Sequence, residues 1–299
     1  MKKVISILLI LMLLLTACSG EPTPQPTDAP TEATLPATGE TAGATEAPTD
    51  QGPEGVTDPP GDTVTVYVLT RMAQLDETGG ERWHREYEYD HLGRKSAESE
   101  YDSAGSLTYR QVFTYDDAGL CTASELTQGN APAMTTTYAY DDQGRVVLQQ
   151  SFEDGALISS DEITYDDHGS QLTYKMYFGE ELVYDWSYVC SYDDKGNLLT
   201  REEYLSGELV YTVECRYDSQ GRPSETLTYQ ADGTLEMRSA FTWEGTTEIR
   251  TYYDREDNPY LTSVTTYDAY GNITFQESQY SDGTVTMTEY TYEPIEILP

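Results

Sequence analysis

Few residues in this sequence have the types and spacing that chemistry needs. The three histidines, His84, His91 and His168, do not form a cluster, and none has a partner at metal-ligand spacing. No serine or cysteine lies in a nucleophile motif with a recognisable base. The sequence therefore predicts a protein that is not an enzyme, with no catalytic residue, no cofactor and no metal.

Pairs of adjacent aspartates are the next candidates. They are Asp116/Asp117, Asp141/Asp142, Asp166/Asp167 and Asp193/Asp194. Carboxylates gathered along one edge of a sheet could bind calcium weakly. An aspartate followed three residues later by glycine also forms a tight turn, because its side chain bonds the turn backbone. We favour the turn-forming role.

Three cysteines follow Cys18, namely Cys121, Cys190 and Cys215. An odd number of thiols is not a disulfide framework. Cys190 and Cys215 occupy equivalent positions in neighbouring units of a repeat described below, at a position that is usually aromatic or apolar. We therefore expect them to act as small buried apolar residues.

The pattern that organises the chain is the stretch Tyr138 to Arg145, which indicates a strand end, a tight turn and a new strand. Near-copies recur every 24 to 27 residues. The aromatic residue before each turn is Tyr89, Tyr115, Tyr140, Tyr165, Tyr192, Tyr217, Trp243, Tyr267 or Tyr292. A fixed period of this length predicts a repeat array in which each unit packs on its neighbours.

The pattern Y-x-Y-D-x-x-G-R/N resembles the YD repeat of RHS-type proteins. The best matches are 87–94, 138–145, 215–222 and 267–272, and the resemblance covers about residues 81 to 293. Larger members of that family form hollow shells that encapsulate toxins. The resemblance implies a repeat built from β-strands.

Each unit contains two hairpin turns separated by strand-sized segments. The glycines expected to take positive φ in the main turns are Gly93, Gly119, Gly144, Gly169, Gly196, Gly221 and Gly271. Polar and apolar residues alternate before these turns, which is typical of half-buried antiparallel strands. We predict an all-β antiparallel meander of about 18 strands from nine ~25-residue repeats, forming a twisted or coiled open sheet.

Residues 1–18 have the features of an export signal. Lys2 and Lys3 precede an apolar run from Val4 to Leu15, which is short for a spanning helix. The sequence Leu15-Thr16-Ala17-Cys18 resembles a bacterial lipobox. That resemblance implies that Cys18 is lipidated and becomes the first residue of the mature protein.

The next region, residues 19–62, predicts a disordered tether. It holds nine prolines, nine threonines and nine acidic residues, with no lysine, arginine or aromatic residue. Such a composition buries too little apolar surface to offset the entropy of ordering. We assign residues 63–293 to the β-repeat domain and residues 294–299 to a short C-terminal tail.

The formal net charge of −36 disfavours nucleic acid as a partner. The expected location is the extracytoplasmic face of the cell membrane, through a lipid on Cys18. The expected function is a structural or binding module that contacts a glycan or a surface protein. Two alternatives stay open: a truncated relative of the RHS-type shells, and a solute-binding or enzymatic lipoprotein with an unrecognised site.

Overall fold

The computed structural model describes residues 63–297, so the predicted export signal, Cys18 and the predicted tether lie outside the described residues. The described chain forms eighteen strands, as predicted. They are β1 (Val64–Leu75), β2 (Glu81–Tyr89), β3 (Lys95–Asp102), β4 (Leu107–Tyr115), β5 (Cys121–Gln128), β6 (Met134–Tyr140), β7 (Val146–Glu153), β8 (Ala156–Tyr165), β9 (Gln171–Phe178), β10 (Glu181–Tyr192), β11 (Leu198–Leu205), β12 (Glu208–Tyr217), β13 (Pro223–Gln230), β14 (Leu235–Glu244), β15 (Thr247–Tyr253), β16 (Pro259–Tyr267), β17 (Ile273–Tyr280) and β18 (Val285–Ile297). Residues 63–297 contain no helix with the length and apolarity needed to cross a bilayer.

Every strand pairs antiparallel with the next strand along the chain, which confirms the predicted meander. In addition, β18 pairs with β1, with Val64 opposite Ile297 and Leu75 opposite Met287. The sheet therefore closes into a barrel, and the prediction of an open sheet is wrong. Accumulated strand twist curls a wide sheet, and closure satisfies the backbone groups of both edge strands.

The predicted C-terminal tail is also wrong for the residues that are described. Pro294 to Ile297 continue β18 and pair with the start of β1. Because the β1–β2 ladder begins only at Arg71, the ends of β1 and β18 extend beyond it as a two-stranded ribbon. On this ribbon Tyr67 stacks on Tyr270 of the turn after β16, with ring centroids 6.4 Å apart.

The two ends of the barrel differ in their turns. Turns after even-numbered strands, which we call main turns, carry most of the Asp-x-x-Gly sequences, and turns after odd-numbered strands are called second turns. In the main turn after β6, the N–H of Gly144 donates to the oxygen of Asp141 at 3.0 Å. Gly144 and Gly221 have φ of +77° and +82°, as predicted. The same holds for Gly93, Gly119, Gly169, Gly196 and Gly271.

Side chains alternate between an inner and an outer face of the barrel wall. Phe113, Tyr138 and Ile163 are buried on the inner face, whereas their neighbours Thr114 and Ala139 are exposed on the outer face. This alternation was predicted from the residues that precede each main turn. It fixes the register, because a shift by one residue would exchange the two faces.

The buried residues of the wall are more often polar than apolar. Thirteen are polar or charged and eight are hydrophobic, so one central hydrophobic core does not hold the barrel together. Several of these buried polar groups satisfy each other instead. Gln111 donates to Ser124 at 2.9 Å, and the Ser124 hydroxyl lies 3.1 Å from the Tyr138 hydroxyl. Backbone ladders and local clusters along the wall therefore stabilise the fold.

Candidate ligand site on the inner wall

The repeat-defining aromatic residues close gaps between strands at the main-turn end. On β6, the Tyr140 hydroxyl donates to the backbone oxygen of Cys121, the first residue of β5, at 2.6 Å. The β5–β6 ladder ends before that point, at Ala123 opposite Thr137. The same contact recurs from Tyr89 to Leu69, Tyr115 to Lys95, Tyr165 to Val146, Tyr217 to Leu198 and Trp243 to Pro223. These aromatics therefore brace the wall.

The remaining repeat aromatics depart from this contact. Tyr192 donates to the carboxylate of Asp166, and Tyr267 stacks on Trp243 with ring centroids 6.3 Å apart. Tyr292 lies on β18, half-buried, opposite Leu69. The row thus continues around the barrel with its rings packed on neighbouring strands.

An arginine at the end of the repeat pattern links consecutive main turns. The Arg145 Nε donates to Asp141 Oδ2 at 2.7 Å, and its Nη1 donates to the backbone oxygen of Asp166 at 3.1 Å. Its guanidinium carbon lies 4.7 Å from the ring centroid of Tyr165. Arg94 and Arg222 repeat the contacts with their own aspartate and with the next aromatic ring. This role was not predicted from the sequence, although the R/N position of the pattern marks it.

Where a main turn begins with aspartate, that aspartate forms the turn. Asp141 Oδ1 accepts hydrogen bonds from the backbone N–H groups of Gln143 and Arg145, both at 2.9 Å. The backbone bond from Arg145 is the main cause that lowers the pKa of Asp141. The second aspartates, Asp117, Asp142, Asp167 and Asp194, are exposed. Residues 63–297 hold no group of three or more acidic, histidine or cysteine side chains arranged to bind a metal ion.

The histidines lie at separate places on the barrel. His84 on β2 places Nδ1 2.6 Å from a Glu81 carboxylate oxygen and stacks on Tyr101, with ring centroids 4.9 Å apart. His168 lies in the main turn after β8 and stacks on Tyr192 at 4.0 Å. Both therefore serve as flat packing partners for tyrosine rings.

The cysteines are only partly what the sequence predicts. Cys121 is buried in a cluster with Phe113 and Tyr138. Cys190 on β10 and Cys215 on β12 are half-buried, so the expectation of two buried apolar side chains is wrong. The strand β11 lies between them, as the predicted meander requires.

A cluster of charges lines the inner wall where β2, β3 and β4 meet. Arg85 lies 3.0 Å from Glu100, and Lys95 lies 2.8 Å from Glu98. The hydroxyl of Tyr109 also donates to Glu98 at 2.6 Å. Burial opposes ionisation of Glu98, but Lys95 and the hydrogen bonds outweigh it and lower the pKa of this carboxyl. The charges of this cluster are therefore mutually satisfied.

A second inner-wall cluster, on β10 and β11, leaves open space beside it. A cleft of about 280 Å³ is lined by Tyr188, Arg201, Glu203, Ser170, Gln171 and Leu198. The Arg201 guanidinium carbon lies 5.6 Å from the Tyr188 ring centroid, and its Nε donates to Glu203 at 2.9 Å. Trp186 stacks alongside Tyr188, with centroids 6.4 Å apart and planes 10° apart.

The chemistry of this cleft is that of recognition. The Tyr188 ring in its lining can pack against an apolar ring face. The arginine supplies hydrogen-bond donors and the glutamate supplies acceptors. Burial raises the pKa of Tyr188, so its hydroxyl stays neutral and can both donate and accept at neutral pH. The sequence pattern does not distinguish these residues, because the alternation marks them only as inner-facing positions.

One inner carboxylate is buried with few partners. Asp161 on β8 is 1% exposed and accepts a 3.2 Å hydrogen bond from the Tyr174 hydroxyl. It lies opposite Gln149, whose buried Nε2 has no hydrogen-bond partner within residues 63–297. Burial raises the pKa of Asp161 to about 6.

Comparisons with known proteins give distant likenesses. No family model matches the chain, and no curated protein matches it. A porin-like protein from Bacteroides uniformis is similar with a TM-score of 0.38 and 14% identity, over 75% of this chain and 96% of that chain. A chain of the TcdB2-TccC3-Cdc42 structure is similar with a TM-score of 0.20 and 11% identity, over 75% of this chain and 20% of that chain. Neither likeness establishes a family or a function.

Proposed function

We propose that this protein is a lipid-anchored, non-catalytic surface module whose barrel binds a saccharide in the inner-wall cleft. The observation that carries the proposal is the arrangement of Tyr188, Arg201 and Glu203 around open space, with Trp186 stacked beside Tyr188. Aromatic faces bind the C–H face of a sugar ring, and paired charged groups bind its hydroxyls.

The choice of saccharide follows from the mixture of groups in the cleft. An anionic ligand would face Glu203 and the acidity of the whole chain, whose formal net charge is −36. A purely apolar ligand would displace water from the Arg201–Glu203 pair, whose arginine is 41% exposed, and would offer it no hydrogen bond in return, which is costly for charged groups. A neutral sugar can pack against the aromatic rings and form hydrogen bonds with the ion pair.

The repeat and the anchor fit a module held outside the cell. The nine repeat units, which resemble YD repeats, supply a rigid wall on which the cleft is built. The 44 residues between Cys18 and Thr63 span at most ~135 Å if extended as polyproline II. The chain enters the barrel through β1, whose first residue lies at the main-turn end opposite Ile297. The tether would therefore leave from the main-turn end.

The anchor is tested through the residue that would carry the lipid. We expect Cys18→Ala to release the protein from the membrane fraction into the soluble fraction. Fractionation followed by a salt wash measures this. Continued sedimentation of the variant with salt-washed membranes would show that the lipobox assignment is wrong.

Binding is tested with the purified protein on an array of neutral and charged glycans, followed by titration of the best sugar. We expect tryptophan fluorescence to change on binding, because Trp186 lies beside the cleft. Trp186→Ala and Arg201→Ala should each weaken binding by about tenfold or more. The matched control is Val189→Ala, on the same strand but 56% exposed on the outer face. Equal affinities in all three variants would show that the sugar does not bind in the cleft.

A further inference from the structure

The outer face of the barrel carries an exposed apolar surface near the second-turn end, which we call the outer apolar patch. It consists of Phe152, Leu157, Tyr177, Leu182 and Val183. Phe152 lies opposite Leu157 across the β7–β8 hairpin, and Tyr177 lies opposite Leu182 across the β9–β10 hairpin. Leu157, Leu182 and Val183 are 40%, 45% and 42% exposed.

Strand register places these side chains together on the outer face. Ser151 and Met176, the chain neighbours of Phe152 and Tyr177, are buried on the inner side, so the two aromatic residues lie outside. Tyr177 lies opposite Ser160 of β8, so its hairpin adjoins the hairpin that holds Phe152. The patch is thus continuous over four neighbouring strands.

Other second turns carry the same kind of pair, and at two of them it is half-buried. Tyr204 lies opposite Leu209, and Tyr229 lies opposite Leu235. All four of these residues are half-buried. In the β3–β4 hairpin, Leu107 lies opposite Tyr101 and is 50% exposed, so a single exposed leucine also occurs elsewhere. The pairing therefore belongs to the fold, whereas β7–β10 place exposed leucines on two adjacent hairpins, together with Val183. Exposed apolar surface concentrated in one place indicates an interaction site.

Carboxylates outnumber cations around the patch, where Lys175, opposite Glu162, lies 3.9 Å from Asp185. Glu153 and Asp154 lie at the second turn after β7, and Glu180 and Glu181 lie at the second turn after β9, all exposed. Glu162 lies beside Tyr177, whose hydroxyl is 3.5 Å from its carboxylate. These carboxylates repel a second copy of the chain, an anionic lipid surface and nucleic acid, because each carries negative charge.

We propose that the outer apolar patch binds a basic amphipathic segment of another protein. Such a segment buries its apolar side chains on the leucines and aromatic rings, and its lysines or arginines face the surrounding carboxylates. A neutral saccharide would leave those carboxylates unused and would contact leucine rather than an open ring face. The proposed site is separate from the inner-wall cleft, which faces the other side of the wall.

The test uses the intact purified protein and two synthetic peptides of equal length, one alternating leucine with lysine and one alternating leucine with glutamate. Fluorescence anisotropy of labelled peptide measures binding. We expect the lysine peptide to bind and the glutamate peptide not to bind. The double variant Leu157→Ser/Leu182→Ser should weaken binding by about tenfold or more. The control Val112→Ser, at an exposed outer position on β4, should bind as the parent does.

A second variant separates the charge contribution from folding. Glu180→Gln/Glu181→Gln changes only exposed side chains, and we expect weaker binding with a shallower dependence on salt. Trp186→Ala should leave peptide binding unchanged, which distinguishes this site from the saccharide site. Equal binding of both peptides, or equal loss in the patch variant and Val112→Ser, overturns the proposal. Self-association of the parent that disappears in the patch variant would assign the patch to a second copy and also overturn it.

Discussion

The hydroxyl of Tyr140 bonds the backbone oxygen of Cys121 at 2.6 Å, just beyond the point where the ladder between their strands ends. Strands joined by a second turn separate as they approach the main-turn end. The tyrosine fills the gap and donates a hydrogen bond to a carbonyl that lies beyond the end of that ladder. Recurrence of this contact explains why the repeat places an aromatic residue directly before each main turn.

Removing the Tyr140 hydroxyl should destabilise the barrel modestly. Tyr140→Phe keeps the ring but removes the hydroxyl that donates to the Cys121 carbonyl. We expect a loss of about 1 kcal/mol in the free energy of unfolding. Urea unfolding followed by fluorescence measures the loss. The control is Tyr67→Phe on the ribbon, where the residue is 53% exposed and the change should be near zero.

The turn after β6 should tolerate only certain residues at its last position. Gly144 has φ of +77°, a region that β-branched side chains avoid. Gly144→Val should destabilise by about 1–3 kcal/mol. Gly144→Asn should cost less, because asparagine adopts positive φ more readily. Thermal melting compares the two, and a valine variant that melts with the parent would contradict the turn assignment.

Asp161 should make stability depend on pH. Its pKa is about 6 in the folded protein against 3.8 for the ordinary group. Because the pKa is raised, the contribution of Asp161 to the free energy of unfolding is fully present below pH 3.8, and it is lost as the pH rises through 6.

Asp161→Asn should therefore be more stable than the parent at pH 7.5, by up to about 3 kcal/mol. The difference should vanish below pH 4, as seen in urea midpoints across that range. The control is Asp142→Asn, at an exposed position, which should show no such pattern. A parent that is the more stable protein at pH 7.5 would show that Asp161 has a compensating partner.

Cys190 and Cys215 should not form a disulfide with each other. The strand between them separates their backbones by about 9.6 Å, whereas a disulfide needs Cα atoms within about 7 Å. Register adds to the gap, because Cys190 lies opposite Arg201, which lies opposite Val213 rather than Cys215. Mass spectrometry of the oxidised, non-reduced protein should find both thiols free of this bridge. An intramolecular bridge would mean that the strands do not follow this order.

Much of the local structure could be predicted from the sequence. Aspartate and glycine at fixed positions determine each main turn, as at Asp141 and Gly144, because these residues meet hydrogen-bond and φ requirements within a few residues. Alternation then assigns Tyr138 inward and Ala139 outward. Short turns make consecutive strands neighbours, which gives the meander and the number of strands.

Closure of the sheet could not be read from the same patterns. Pairing of Val64 with Ile297 depends on the twist and curvature accumulated over eighteen strands. No local residue pattern predicts that total. The prediction of a tail after residue 293 failed for this reason, since Pro294 to Ile297 find their partners only when the barrel closes.

The sites are likewise a product of tertiary structure. Tyr188, Arg201 and Glu203 meet because β10 and β11 pair in one register, and an offset of two residues would separate them while preserving the alternation. The sequence by itself determined the turns, the strand faces and the order of neighbours, because each depends on interactions within a hairpin. Only the tertiary structure decided closure, the bracing of consecutive turns by Arg145 and the cleft, because these depend on register and curvature across several strands.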